Sequence, residues 1–143
     1  MGQLSSFPPD ESQAENPPPI TRRRHGLVRS FYFAFVGLAY LFRTQRNARI
    51  ELALGLLACG LGAWLRISRA EWAIIAFTIA LVLILEGLNT AVEAAVDLSS
   101  PNFHPLAKAA KDLAAAMVLV ASLASLAVGL LILGPPLWQK LFR

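Results

Sequence analysis

The sequence WAIIAFTIALVLILEGLNTAVEAAVD, residues 72–97, decides the fold class. Its first part is almost wholly apolar, and the polar side chains that follow are Glu86, Asn89, Glu93 and Asp97. Spacings of three and four residues put these side chains on one face of an α-helix. At a rise of ~1.5 Å per residue, Glu86 lies ~21 Å from Trp72, which is within a hydrocarbon core ~30 Å thick. The stretch predicts a membrane-spanning helix with a polar stripe at one end.

The composition of the whole chain is typical of a membrane protein. Of its 143 residues, 56% are hydrophobic and 15% are charged, and the mean hydropathy is +0.55. An ordinary soluble domain of this size is less apolar. The formal net charge of +4 comes from basic residues around the apolar segments. This pattern suits an anionic membrane surface better than nucleic acid, so no nucleic-acid partner is predicted.

Two further apolar segments have the length of membrane spans, at about residues 50–66 and 112–133. None of the segments shows the alternation of a β-strand, so the predicted fold class is an all-α membrane protein with three transmembrane helices. Gly55, Gly60 and Gly62 are expected to permit close helix packing. The sequence Gly134-Pro135-Pro136 is expected to end the last helix.

A shorter, aromatic-rich segment at about residues 27–43 precedes the three spans. It predicts an N-terminal amphipathic helix that lies in the membrane interface, with its aromatic rings at headgroup depth. The alternative is a short core helix. Residues 1–21 are polar and Pro-rich and predict a disordered tail, which leaves residues 22–143 as one membrane domain.

Lysine and arginine fall unequally on the two sides of this topology. One side carries Arg22, Arg23, Arg24, Arg29, Arg43, Arg46, Arg49, Lys108 and Lys111. The other side carries Arg66, Arg69, Lys140 and Arg143. Because cytoplasmic loops carry the excess of positive charge, the N-terminus and the polar end of the 72–97 helix are predicted to be cytoplasmic.

The carboxylates of the polar stripe are the candidate functional groups. An acid within the hydrocarbon core is costly unless it is paired, solvated or neutralised, and it marks a functional site by default. Glu86 lies deepest and suits a general base for a lipid hydroxyl. Glu93 and Asp97 supply the hard oxygen ligands that Mg²⁺ prefers. Two alternatives stay open: a polar seam that holds helices together, and a proton- or ion-conducting path.

A second polar cluster, Lys108, Lys111 and Asp112, begins the last span. A lysine at the membrane edge can offset phosphate charge, or it can simply anchor the helix at the surface. His104, just before this cluster, is either structural or a hydrogen-bonding partner for a nucleotide. The sequence contains neither a Gly-rich P-loop nor the protein-kinase motifs, so phosphoryl transfer here would need another arrangement of metal and lysine.

Two stretches together resemble the signature of bacterial diacylglycerol kinases and undecaprenol kinases: Glu86-Gly-Leu-Asn89-Thr-Ala-Val-Glu93-Ala-Ala-Val-Asp97 and His104-Pro-Leu-Ala-Lys108-Ala-Ala-Lys111-Asp112. The similarity extends from about Arg29 to Leu133 and includes Arg43-Thr-Gln-Arg-Asn47. It implies a homotrimeric bundle with three spans and one amphipathic surface helix per subunit. It also implies active sites between subunits at the cytoplasmic membrane boundary, with ATP as co-substrate and Mg²⁺ as cofactor.

The resemblance also implies roles for individual residues. Glu86 would be the catalytic base that acts on the lipid hydroxyl, and Glu93 would bind the metal that bridges the ATP phosphates. Ala115 matches a position beside the lipid pocket. With Glu93, the residues implied to contact ATP are Asn89, Asn102, Phe103, His104, Lys111 and Asp112.

Position 45 departs from the family pattern. Many members have a second metal-binding Glu where this chain has Gln45. The amide oxygen of Gln45 can still bind Mg²⁺, but it brings no charge, so the predicted metal ligands are Glu93 and Gln45. Glu51, where many relatives have His, is a weak substitute because it does not quite share a helical face with Gln45.

The sequence therefore predicts a multi-pass protein of the bacterial cytoplasmic membrane that phosphorylates a lipid alcohol with ATP. The product is phosphatidic acid from diacylglycerol or undecaprenyl phosphate from undecaprenol. The loop at residues 100–105 resembles the undecaprenol branch somewhat more. One alternative is a small proton- or ion-coupled transporter that uses the intramembrane carboxylates, which leaves the Lys111–Asp112 pair unexplained. The other is a non-catalytic membrane scaffold.

Overall fold

The computed structural model describes residues 26–100 and 102–142, which form four α-helices and, within those ranges, no β-strand. The helices are α1, Leu27–Thr44; α2, Arg46–Leu65; α3, Arg69–Ser99; and α4, Pro105–Phe142. The predicted all-α fold class is confirmed. The tail predicted at residues 1–21, the cluster Arg22–Arg24 and Arg143 lie outside the described residues.

Three of the four helices are long and apolar enough to cross a membrane, and they have 20, 31 and 38 residues in α2, α3 and α4. They pack as an antiparallel bundle in which α3 and α4 share the largest interface. The apolar core is small: the buried apolar side chains are Leu41, Ala48, Ile75, Val82, Val118, Ala121 and Leu133. Much of the apolar surface of these helices therefore faces outward.

α1 is exposed along nearly its whole length, and Leu41 near its end is its buried residue. It is therefore not a core helix of this chain, and the predicted span of residues 27–43 matches its observed bounds closely. A single extended residue, Gln45, separates α1 from α2 with φ −96° and ψ 116°. The two helices change direction at that one position.

The turn between α2 and α3 is built from local hydrogen bonds. Arg66 adopts a left-handed conformation with φ 56° and ψ 47°, and the Ile67 amide donates to the Gly62 carbonyl at 3.2 Å, as in a Schellman motif. Ser68 and Glu71 then form a capping box: the Ser68 amide donates to Glu71 Oε2 at 2.6 Å, and the Glu71 amide donates to Ser68 Oγ at 3.4 Å.

Two of the three glycines on α2 permit close packing, and one does not. A Cβ atom at Gly55 would lie 3.1 Å from Ile79 Cγ2, and one at Gly62 would lie 2.9 Å from Ile67 Cδ1. A Cβ atom at Gly60 would meet no atom of the described residues within 4 Å. The packing prediction for Gly60 is wrong within this chain, because Gly60 lies on a different helical face from the buried Gly55 and Gly62.

The last helix starts earlier and ends later than predicted. α4 begins at Pro105, where a proline fits the first turn because its missing amide hydrogen would be unpaired anyway. It continues through Pro135 and Pro136 to Phe142, so the prediction that these prolines end the helix is wrong. The turns beyond them are held against α2 by Lys140, whose Nζ donates to the Trp64 carbonyl at 2.8 Å. This tertiary contact offsets the backbone hydrogen bonds that proline removes.

Candidate active site

Glu86 is enclosed inside the bundle. The exposed fraction of its side chain is 1%, and among the described residues it is the one charged side chain that is buried. No side-chain hydrogen bond or ion pair reaches its carboxylate from residues 26–100 or 102–142. A carboxylate without a partner in apolar surroundings is costly, so this position is poorly explained by stability alone.

The polar stripe on α3 leads from Glu86 to the end of the bundle. The Asn89 side chain donates from Nδ2 to Glu93 Oε1 at 3.1 Å. Its other atom, Asn89 Oδ1, is enclosed and has no hydrogen-bond partner among the described residues. Further along, Lys111 Nζ donates to Asp97 Oδ1 at 2.7 Å, which brings the start of α4 to the end of α3.

The second polar cluster is divided between two ion pairs. Asp112 forms an ion pair with Lys108 one turn back on α4, while Lys111 reaches across to Asp97. Both ammonium groups therefore lie at the same end of the bundle as Glu93, and both are held by exposed carboxylates. Exposed ion pairs contribute little to stability, so both lysines can exchange these partners for phosphate oxygens.

The loop before α4 is exposed, as a nucleotide contact requires. Asn102, Phe103 and His104 are all exposed, and the Ser100 hydroxyl donates to the Asn102 carbonyl at 3.0 Å. His104 has a structural role, because its Nδ1 accepts from the Leu106 amide at 3.2 Å and the side chain thereby caps α4. Its Nε2 is the ring nitrogen that this cap leaves for another partner.

The two other predicted site residues are not brought to the Glu86–Glu93 stripe by any described hydrogen bond. Gln45 is half-buried at the junction of α1 and α2, and its side chain caps neither helix. Ala115 is exposed on α4, one turn beyond Lys111.

The side-chain oxygens at Glu93 suit a cation that takes most of its ligands from water and substrate. Within residues 26–100 and 102–142, no group of three or more His, Cys, Asp or Glu side chains is arranged to hold a metal. Asn89 Oδ1 is enclosed and has no partner among the described residues, and with an oxygen of the neighbouring Glu93 carboxylate it makes two hard oxygens. Mg²⁺ is typically held by one or two carboxylates, waters and substrate phosphates, so Glu93 with Asn89 fits that ion.

The sequence predicted Glu51 only as a weak substitute metal ligand and did not predict that one of its oxygens is enclosed between helices. The Ser122 hydroxyl on α4 donates to Glu51 Oε1 on α2 at 3.2 Å, and Glu51 Oε2 is enclosed without a partner among the described residues. The sequence signal for Glu51 was an acidic residue in an apolar segment, but its hydrogen-bond partner Ser122 is 71 residues away.

Glu51 also lies at one end of an apolar groove between α2, α3 and α4. The groove has a volume of about 410 Å³, within the usual range of ~300–1,000 Å³ for small-molecule sites. Its walls include Leu54, Leu57, Ile79, Val82, Leu126 and Leu130. From Glu51 it continues along α2 to Leu61, which is ~15 Å at the helical rise and about half of a hydrocarbon core.

Known proteins place this bundle in a family. The sequence model described as prokaryotic diacylglycerol kinase matches residues 32–133. The chain belongs to that family. The match begins within α1 and covers the Glu86 stripe, the exposed loop and most of α4. With three helices able to cross a membrane, the chain is an integral membrane protein of bacterial type, as predicted.

Individual relatives carry two different substrate names. A diacylglycerol kinase of Synechocystis sp. is 45% identical over 112 residues, which is 78% of this chain and 64% of that protein. An undecaprenol kinase of Bacillus subtilis is 42% identical over 109 residues, which is 76% of this chain and 89% of that protein. A diacylglycerol kinase of Escherichia coli K12 is 30% identical over 95 residues, covering 66% and 78% of the two chains.

Proposed function

We propose that the protein is an ATP-dependent kinase that phosphorylates the hydroxyl group of a membrane lipid alcohol. The observation that carries this proposal is Glu86: a carboxylate that is 1% exposed, within a helix long enough to span the membrane. It has no side-chain hydrogen bond within the described residues. Such a group is available to take a proton from an alcohol that arrives through the bilayer.

The groove and the polar stripe support the two halves of the reaction. The lipid tail lies in the apolar groove, and the lipid hydroxyl lies at its polar end, near Glu86. The nucleotide lies at the exposed end of the stripe, with the lysines Lys108 and Lys111 beside its phosphates. The remaining proposed nucleotide contacts are Asn89, Glu93, Asn102, Phe103, His104 and Asp112. In this proposal, a membrane alcohol and a water-soluble nucleotide meet at one boundary.

In the reaction, the O–H bond of the lipid breaks and its proton passes to the Glu86 carboxylate. The lipid oxygen forms a bond to the γ-phosphorus, the bond from that phosphorus to the bridging oxygen breaks, and ADP leaves with the bond electrons. Lys111 offsets negative charge on the transferring group. Glu93, with Asn89, would hold Mg²⁺, which when bound neutralises charge on the phosphates. Gln45 is the further proposed metal ligand.

The assembly and orientation belong to the same proposal. Arg43, Arg46, Lys108 and Lys111 lie at the Glu93 end of the bundle, so this end and the N-terminus face the cytoplasm of the bacterial inner membrane. The outward apolar surface of the spans can face lipid or other copies of the chain, and the proposed assembly is a homotrimer in which neighbouring copies complete each site, with Ala115 beside the lipid. A mass measurement in detergent that gives a monomer would contradict the trimer.

The proposal is tested by phosphate transfer from radiolabelled ATP in mixed micelles, with diacylglycerol and undecaprenol supplied separately. Glu86→Gln keeps the shape and removes the base, so we expect a loss of about 10²- to 10⁴-fold in kcat. Glu71→Gln is the matched control, because Gln also completes a capping box and Glu71 lies at the other end of α3.

Two results would overturn the proposal. The first is that neither lipid is phosphorylated by the parent protein with magnesium and ATP. The second is that Glu86→Gln is as active as Glu71→Gln, which would remove the base. An ion-coupled transporter would instead move ions across vesicle membranes without consuming ATP.

A further inference from the structure

We infer that Glu51, held by Ser122, is the residue that binds and positions the lipid hydroxyl before transfer. This inference rests on the proposed function and adds a specificity residue to it. Glu86 is the base in the proposed function and in this inference. Glu51 contacts the bound alcohol before the reaction and takes no part in bond breaking.

The first step of the argument is the position of Glu51 in the groove. Glu51 is one of the residues that line the groove, whereas Glu86 is not, within the described part of the chain. An alcohol whose tail fills the groove therefore meets Glu51 first. Val82, one turn before Glu86 on the same face of α3, lines the groove at the same end as Glu51, so an oxygen held by Glu51 lies toward the turn that carries the base.

The second step is the hydrogen bonding of the groove wall. The Thr78 hydroxyl is used internally, since it donates to the Ile74 and Ile75 carbonyls at 2.9 Å. The Ser122 hydroxyl is used by Glu51 Oε1. Glu51 Oε2 is an enclosed acceptor without a donor among the described residues. An enclosed acceptor gains most when a donor arrives.

The third step is the chemistry of the ligand. A diacylglycerol and a polyprenol have different tails, but each has one hydroxyl group and therefore one hydrogen-bond donor. A carboxylate that accepts this donor discriminates an alcohol from an ester or an ether of the same shape, because those analogues leave the acceptor unpaired. The inferred role of Glu51 is therefore selection of the free alcohol as substrate.

Ser122 has a positioning role in this arrangement. By donating to Oε1, it fixes the plane of the Glu51 carboxylate between α2 and α4, while Oε2 keeps no donor among the described residues. The stem of Glu51 is flexible, so a carboxylate without this bond would spend less time in the productive orientation.

The test compares binding of a lipid alcohol with binding of its methyl ether, each radiolabelled, in mixed micelles without ATP. The ether has the same tail and lacks the donor, so it controls for changes in groove shape. In the parent protein we expect the alcohol to bind about 10- to 100-fold more tightly than the ether. In Glu51→Leu this ratio should fall to about one.

Three further measurements separate binding from structure. Glu51→Gln keeps a neutral acceptor, and Ser122→Ala keeps the carboxylate without its orienting bond, so both should give intermediate ratios. In the kinase assay, Ser122→Ala should raise KM for the lipid several-fold and leave KM for ATP unchanged. If Glu51→Leu loses both ligands because the groove collapses, the ratios of Glu51→Gln and Ser122→Ala decide the question.

The failure of this inference differs from the failure of the proposed function. A parent protein that phosphorylates lipid but binds alcohol and ether equally overturns the role of Glu51. So does an unchanged ratio in Glu51→Leu. Loss of the trimer in Glu51→Leu and Ser122→Ala, with an unchanged ratio, assigns the pair to subunit packing instead. A parent protein that phosphorylates no alcohol overturns the function itself.

Discussion

At the scale of single residues, the fold keeps two acids where ionised groups are expensive. Glu86 is enclosed without a side-chain partner in the described residues, and Glu51 has one hydrogen bond for two oxygens. Replacing a buried polar group by an apolar one of similar size is often neutral or stabilising. Their presence is therefore better explained by chemistry than by stability, and both proposals above follow from this cost.

Gln45 offers a prediction at the same scale. If residue 45 contributes to the metal site, Gln45→Glu adds a charged hard ligand, and the Mg²⁺ concentration for half-maximal activity should fall several-fold. The maximal rate should be at least that of the parent. The measurement is kinase activity against total magnesium at fixed ATP.

Gln139→Glu is the control for Gln45→Glu, because it adds the same charge at the far, exposed end of α4. We expect its magnesium dependence to match that of the parent protein. Identical curves for all three proteins would show that residue 45 lies outside the metal site.

The residues of the α3 stripe could be predicted from the sequence, whereas the Glu51–Ser122 pair could not. Helical periodicity is a local property, so the spacing of Glu86, Asn89 and Glu93 fixed their common face. The bond between Glu51 and Ser122 joins positions 71 residues apart. It depends on how α2 and α4 pack, and no periodicity in either helix contains that information.

At the scale of helices, the prediction and the structure differ mostly in the residues at which the helices begin and end. α3 begins at Arg69, before the predicted residue 72, because Ser68 and Glu71 form a capping box. The sequence Ser68-Arg-Ala-Glu71 is the signature of that motif and was available as a signal. The end of α4 gave no such signal, because the contact between Lys140 and Trp64 beyond the prolines joins residues 76 positions apart.

The left-handed residue Arg66 offers a prediction about helix ends. A non-glycine residue in this conformation costs about 1–2 kcal/mol, and glycine adopts it without strain. Arg66→Gly should therefore raise the free energy of unfolding by up to about 1 kcal/mol, measured by thermal or denaturant unfolding in detergent. Activity should be unchanged because the turn lies at the end opposite Glu93.

The control for Arg66→Gly is Arg66→Ala, which removes the same charge and keeps the Cβ atom. We expect no gain in stability from it, because alanine at positive φ remains strained. Equal stabilisation by both variants would mean that removal of charge, and not relief of backbone strain, is responsible.

At the scale of the whole molecule, the chain buries little of its own apolar surface. Large apolar side chains are exposed on every helix, among them Phe35, Leu56, Phe77 and Leu123. Such a surface must face lipid or other copies of the chain. Composition alone predicted this class of protein, because the hydrophobic share depends on no contact. The groove depends on how three helices pack, so composition could not predict it.

The end of the bundle opposite Glu93 offers the prediction that tests whether stability and catalysis are separable. Lys140 Nζ donates to the Trp64 carbonyl at 2.8 Å and lies 4.3 Å from the centroid of its ring. This contact joins the last turns of α4 to the end of α2. Lys140→Met keeps the length of the side chain and removes the charge, so the free energy of unfolding should fall by about 1 kcal/mol.

Lys140→Arg keeps a cation over the ring and should lose less stability than Lys140→Met. Both variants should keep the kcat of the parent protein per folded molecule, because Glu86 lies ~21 Å along α3 from Trp72, at the Lys140 end. The measurements are unfolding in detergent and kinase activity of the same samples. A folded Lys140→Met protein with a reduced kcat would show that the two ends of the bundle are coupled, in which case the Trp64–Lys140 contact contributes to catalysis as well as to stability.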